Sequence, residues 1–150
     1  MRRKLTEIAV IAAFVVGSSA TALADEKQIK DELKKIEGKW QIVATEANGA
    51  ALPKKGDDKA ILTFTDSKMT GFGPEMTFTI APDQKPKHIT LVAKLKDREI
   101  TVNSIYELDG DELKIVIPLV EKGKGPENKR PDNFETKDKP VMLLKLKRAK

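Results

Sequence analysis

The chain contains no cysteine and a single histidine among its 150 residues. Without a thiol there is no disulfide, no thiolate metal site, no sulfur nucleophile and no lipid-modified N-terminal cysteine. One histidine leaves too few nitrogen ligands for the usual convergent metal site. A catalytic Ser-His-acid set would have to use His88, and no Gly-x-Ser-x-Gly elbow accompanies it. Aromatic residues make up only 5% of the chain, with one tryptophan and one tyrosine. Neither sign of charge runs unbroken: 28 basic and 23 acidic residues are interspersed, which reads as a solvated surface and not as a phosphate-binding face. Nucleic acid is therefore not expected as a partner.

Long apolar runs are also missing, with one exception at the N-terminus. Met1-Arg2-Arg3-Lys4 is basic, Ile8 to Val16 is apolar throughout, and Gly17-Ser18-Ser19 breaks the run. Ala22-Leu23-Ala24 then supplies the small-x-small pattern of a signal-peptidase site. This is the order of a cleaved secretory signal over residues 1–24, and the apolar run is too short for a comfortable transmembrane span. Export to the periplasm or beyond is expected, with no stable membrane insertion after cleavage. Removing the three basic and one acidic residues of the signal lowers the net charge from +5 to +3.

Residues 25–150 are expected to form one domain. Ile29, Leu33 and Ile36 recur at helical steps among Lys and Glu, so Asp25–Ile36 reads as a short amphipathic helix that Gly38 ends. The period then changes to two. Trp40, Ile42 and Ala44 form one face of a first strand, and Asn48-Gly49 is a turn. Further strands follow at Ala60–Thr65, Lys68–Phe72 and Glu75–Ile80, then over Ile89–Leu95. On the longer strand Glu99–Leu108, Ile100, Val102, Ser104, Tyr106 and Leu108 share one face. Asp109-Gly110-Asp111 makes a hairpin turn to a strand carrying Leu113, Ile115 and Ile117, and Val141–Lys147 closes the chain. About eight short strands with hairpin-like turns imply an antiparallel sandwich or barrel, with one interior filled from all sides.

Trp40, Phe64, Phe78, Leu91, Val102, Tyr106, Ile115 and Leu144 are the candidate lining of that interior, either as a packed core or as the wall of a ligand cavity. Residues 121–140 are polar, proline-punctuated and long for a loop in a compact domain. Phe134 in that segment either pins it to the barrel surface or belongs to a lid over a barrel mouth. The remaining motifs have plain explanations. Asp57-Asp58 and Asp109-Gly110-Asp111-Glu112 are turns, and the second lacks the other ligands of a calcium loop. Gly71-Phe72-Gly73-Pro74 does not open a helix after a strand, as a phosphate cradle requires. Lys122, Lys124, Lys129 and Arg130 sit among Glu127, Asp132 and Glu135, so that basic stretch reads as solvated.

Four segments carry a family resemblance. They are Ile36-Glu37-Gly38-Lys39-Trp40-Gln41-Ile42-Val43 with Leu52-Pro53 beyond it, Asp83 to Leu91, Ile105-Tyr106-Glu107-Leu108-Asp109-Gly110-Asp111-Glu112-Leu113, and Arg130-Pro131-Asp132-Asn133-Phe134 leading to Val141–Arg148. Their order and spacing resemble an uncharacterised, often exported domain family abundant in planctomycete bacteria. Where many of its members carry a cysteine, this chain has Ile115-Val116-Ile117. The resemblance implies a fold and little about activity. Separately, Gly38-Lys39-Trp40 after a short helix is similar to the Gly-x-Trp signature of lipocalins. That similarity implies a barrel end closed by Gly38, Trp40 and a basic residue of the last strand, Lys147 or Arg148, through a cation–π contact. Lipocalin relatives often bind small apolar molecules.

The expectation is thus an all-β, about eight-stranded antiparallel, lipocalin-like barrel with a short N-terminal helix. Its leading functional reading is a non-enzymatic binding domain holding a small apolar ligand, without cofactor or metal. A filled barrel serving as a cell-envelope protein-interaction or structural module is the alternative, and a carboxylate hydrolase is the third.

Overall fold

The two-residue alternation lets the chain close on itself, because every strand offers one apolar face to a shared interior. A computed structural model describes residues 19–53, 60–119 and 129–150, with side chains from Glu26 onward. Residues 1–18 of the expected 1–24 signal, the Asp57-Asp58 pair, and Lys122, Lys124 and Glu127 of the long loop lie outside the described residues. A helix α1 (Ser19–Ile36) precedes nine strands: β1 (Gly38–Ala47), β2 (Ala50–Ala51), β3 (Ile61–Thr65), β4 (Lys68–Thr70), β5 (Met76–Ala81), β6 (Lys87–Lys94), β7 (Glu99–Asp109), β8 (Glu112–Pro118) and β9 (Val141–Arg148). The helix begins earlier than the expected Asp25 and runs through the Ala24 cleavage position.

All strand pairings are antiparallel, and β3 to β9 form a simple meander. β1 pairs with β3 on one side and with β9 on the other, which closes an eight-stranded barrel. Closure leaves no long sheet edge to recruit another chain. The short β2 folds back on the upper part of β1 through Asn48 and Gly49, both at positive φ, as a two-residue hairpin turn requires.

β1 departs from strict alternation. Its register against β9 shifts between Ile42 and Ala44, with Val43 as the extra residue of a bulge. Trp40 and Ile42 face inward, but Ala44 stands opposite Lys145 on the outer wall, and Thr45, opposite Leu144, takes the inward place. The single apolar face expected for Trp40, Ile42 and Ala44 is therefore broken, because one inserted residue reverses the side of every residue after it.

The interior holds Leu62, Phe64, Met69, Phe78, Ile80, Ile89, Leu91, Leu113, Ile115, Leu144 and Leu146 around Trp40 and Tyr106. Phe64 and Phe78 meet edge to face at 5.3 Å. A second, separate apolar cluster lies on the outside of the barrel. Ile105, Val116 and Leu143 are cross-strand partners on β7, β8 and β9, and with Val141 they are buried under Phe134. One interior filled from all sides is thus only part of the arrangement: the wall of β7–β9 is apolar on both faces.

The cover of that outer face is the described part of the long β8–β9 connection. Arg130 donates to the carbonyls of Ile89 and Ser104, to Thr90 Oγ1 at 2.9 Å and to Asn103 Oδ1 at 3.1 Å, spanning β6 and β7. Further along, Thr136 Oγ1 accepts from the Gly49 amide at 3.0 Å. Residues 129–140 therefore form a strap around the outer wall, with Phe134 pinning it; they are not a lid over a mouth.

Candidate functional site: the barrel interior and its two ends

The antiparallel meander sorts the connections between two ends. The β3–β4, β5–β6 and β7–β8 turns share one end with α1, the start of β1 and the finish of β9. The β2–β3, β4–β5, β6–β7 and β8–β9 connections share the other. The candidate lining residues Trp40, Phe64, Phe78, Leu91, Tyr106, Ile115 and Leu144 are all buried in the interior, and Val102 packs against them half-buried.

At the helix end the barrel is sealed. Ile36 and Trp40 have no exposed surface, and Trp40 Nε1 donates to the Ile36 carbonyl at 2.7 Å, satisfying one orphan acceptor of the helix terminus. The Arg148 guanidinium lies 4.3 Å from the centroid of the Trp40 ring. Its Nη1 donates to the Glu37 carbonyl at 3.0 Å and its Nη2 to the Lys35 carbonyl, so one side chain both stacks on the tryptophan and caps the helix C-terminus. Gly38 sits at φ 121°, where a Cβ would lie 3.1 Å from Arg148 Nη1. The neighbouring cation, Lys147, is exposed and lies near Glu112 instead.

A polar cluster missed in the sequence lies beneath the same helix. Glu32 is only 6% exposed. Its Oε1 accepts from Lys87 Nζ at 2.6 Å and from Tyr106 Oη at 3.3 Å, and Lys35 approaches Oε2 at 3.7 Å. Lys87 also sits 5.8 Å from the centroid of the Tyr106 ring, its register partner. Burial first, then the Glu32 charge and hydrogen bond, push the Tyr106 phenol far above its usual range. The sequence carried a signal for this: Glu32 lies three residues after Ile29 and four before Ile36, in the core-facing stripe of α1. A charge in that stripe needs a buried partner.

The opposite end has no such seal among the described residues. Ile42, Met76, Val102, Ile117 and Met142 line the inner wall towards this end, pack against the core and remain partly exposed. Around them, every exposed large apolar side chain among the described residues lies in or beside one of the four connections at this end: Leu52, Ile61, Phe72, Leu95 and Leu119, at 36–44% exposure. Among the described residues, one end is thus polar and covered, and the other presents partly exposed apolar side chains.

Glu32 is the only buried carboxylate among the described residues, and it is neutralised by Lys87 beneath the helix. No group of three His, Asp or Glu residues suited to a metal ion occurs among the described residues. His88 lies on the outer face of β6 in register with Ile105, where burial and Arg130 favour its neutral form against the pull of Asp83. Asp109, Asp111 and Glu112 belong to the exposed β7–β8 turn. No helix of the described residues is long and apolar enough to cross a membrane. Comparison of the chain with protein-family models, curated proteins and solved structures finds no match.

Proposed function

We propose that this protein is an exported, non-enzymatic binding domain that takes a small apolar ligand into the open half of its barrel. The observation that supports this most is the half-exposed inner wall formed by Ile42, Met76, Val102, Ile117 and Met142. Apolar side chains that face a barrel interior and still meet solvent lose hydration when a ligand covers them, at roughly 25 cal/mol per Å². Export rests on the N-terminal signal and on the resemblance to an often exported planctomycete family. Native mass spectrometry of the protein recovered from the cells that make it tests both points. A mass beginning at Asp25 with a non-covalent small-molecule adduct, lost on denaturation, is the expected result. A bare monomer after mild recovery overturns tight ligand holding, and an intact N-terminus overturns cleavage.

One observation favours a second reading. Leu52, Ile61, Phe72, Leu95 and Leu119 gather exposed apolar surface at a single end of the barrel. Such a cluster is what an envelope protein-interaction module presents to its partner. In that case the same spectrum carries a defined complex of higher mass in place of the small adduct.

A further inference from the structure

Ser104 is the only residue among the described ones with a fully buried side-chain polar atom that has no hydrogen-bond partner. Its place in the fold is set from both sides. On β7 it alternates with Ile105, which belongs to the outer cluster, so the Ser104 side chain faces the interior. Its register partner on β6 is Ile89, an interior residue. From the outer wall, Arg130 donates to the Ser104 carbonyl and to the Ile89 carbonyl, and pins the two strands at this level. The hydroxyl is thus held inside the barrel without anything to bond. An orphaned buried hydroxyl is destabilising, and an alanine would fill nearly the same space without that cost.

Ser104 stands between the two halves: Tyr106, one inward step towards the helix end, is buried, and the open half begins on its other side. Val102, one inward step along β7, is part of the half-exposed wall, and Ile117, which follows the partner of Ile105 on β8, is another. Met142 is paired with Ile117. A ligand seated against Val102, Ile117 and Met142 reaches the hydroxyl when these side chains give way, and methionine is the residue most able to do so. Glu32 and Lys87, the charged pair on the inner side, lie under α1 at the other end and already bond each other. Among the described residues, the seat around Val102, Ile117 and Met142 therefore offers a ligand one inward-facing hydroxyl and no inward-facing charge.

We infer that Ser104 is the polar specificity contact of the barrel, and that its hydroxyl meets the single hydrogen-bonding group of an otherwise apolar, uncharged ligand such as a ketone, ester or alcohol. This inference rests on the reading of the open half as an apolar-ligand site. It makes the site selective for molecules with one buried polar atom over pure hydrocarbons and over carboxylates, because a site with an unpaired donor discriminates against a ligand that cannot pair it.

Calorimetric titration of the full domain with three probes of the same ring size tests this: ethylbenzene, acetophenone and benzoate, on wild type and on Ser104→Ala. The substitution is expected to weaken acetophenone about fivefold while ethylbenzene stays within about twofold, with benzoate binding neither protein. Thermal melting of Ser104→Ala is expected at or above the wild-type midpoint, which separates a lost contact from a damaged fold. If ethylbenzene binds and acetophenone is unaffected by the substitution, the Ser104 assignment is wrong and the apolar site stands. Benzoate binding more tightly than the ketone also overturns it. If neither neutral probe binds wild type, the apolar-ligand reading fails and takes this inference with it.

Discussion

The two ends of this barrel solve the same problem with opposite chemistry. Where α1 crosses the helix end, polar side chains do the sealing: Arg148 caps the helix and covers Trp40, and Glu32 draws Lys87 and Tyr106 together under the helix. At the far end the described inner wall is apolar and partly exposed, and single exposed apolar side chains stand in or beside the surrounding connections. Burying polar groups is costly unless each finds a partner, so their concentration at one end marks it as a permanent structural closure. Leaving apolar groups exposed is costly too, and a fold that keeps that cost on one end keeps that end available for something to cover. Stability and binding should accordingly separate: substitutions at the helix end should act on the first, substitutions at the open end on the second.

The largest effect should come from Trp40→Ala. The side chain is completely buried, bonds the helix terminus and supports Arg148. A loss of about 3–5 kcal/mol is expected by denaturant unfolding. A loss below about 1 kcal/mol would mean that the helix end collapses without its tryptophan and that the comparison between the ends is weaker than drawn. Next is Glu32→Ala, which leaves Lys87 and the Tyr106 hydroxyl without their acceptor. Lys87 is about one-third exposed and can turn towards water, so roughly 2 kcal/mol is expected instead of the larger value for a wholly buried pair.

The same cluster gives a pH dependence of definite sign. Tyr106 is held neutral in the folded state, its pKa raised above the ordinary value of 10.0 by burial and then by Glu32. The unfolded chain releases this proton near that ordinary value, whereas the folded chain keeps it. The contribution is present in full below pH 10 and is lost as pH rises above it. Wild type should therefore lose stability more steeply above pH 10 than Tyr106→Phe, in parallel chemical denaturation series. Identical slopes would show the phenol to be better hydrated than its surroundings imply. A smaller change is expected for Arg148→Met, which keeps an apolar cover on Trp40 but removes the helix cap and the cation: about 1–2 kcal/mol. Arg148→Lys should recover only part of this, since one ammonium cannot reproduce both carbonyl bonds and the stacked plane.

Much of this was legible from alternation alone. Met76, Phe78 and Ile80 on β5, and Val102, Ser104 and Tyr106 on β7, hold the faces that a period of two assigns them, because those strands run without insertion. Reading failed where a local rule was overridden from a distance. Val43 looks like any strand residue, and only pairing with β9 makes it a bulge that sends Ala44 outward. Ile105, Val116 and Leu143 look like surplus apolar residues on polar faces, and their cover is a proline-rich segment that arrives after β8. Glu32 resembles its neighbours Asp31 and Lys34, which are exposed; the burial of the glutamate depends on Lys87 and Tyr106, more than fifty residues away in the chain. The Gly38-Lys39-Trp40 motif pointed to one end of the barrel, whereas nothing so compact marks the other, whose wall is assembled from single residues on five strands.

At the open end the expected effects on stability shrink and those on binding grow. Met142→Ala removes a half-buried side chain opposite Ile117, and about 1 kcal/mol of stability should go with it, less than for a fully buried methionine. The double substitution Phe72→Ser with Leu95→Ser should do less still, within about 0.5 kcal/mol of wild type, because both side chains are already exposed. These two variants divide the functional readings between them. If the barrel holds an apolar ligand, Met142→Ala changes the mass or occupancy of the adduct in native mass spectrometry, and the rim variant leaves it in place. If the rim is a protein interface, the pattern reverses: Phe72→Ser with Leu95→Ser removes the higher-mass complex, and Met142→Ala, set back on the inner wall, does not. A barrel whose open end served neither purpose would leave both spectra as they are in wild type. The apolar surface there would then be a tolerated cost, and the contrast between the two ends would carry no function.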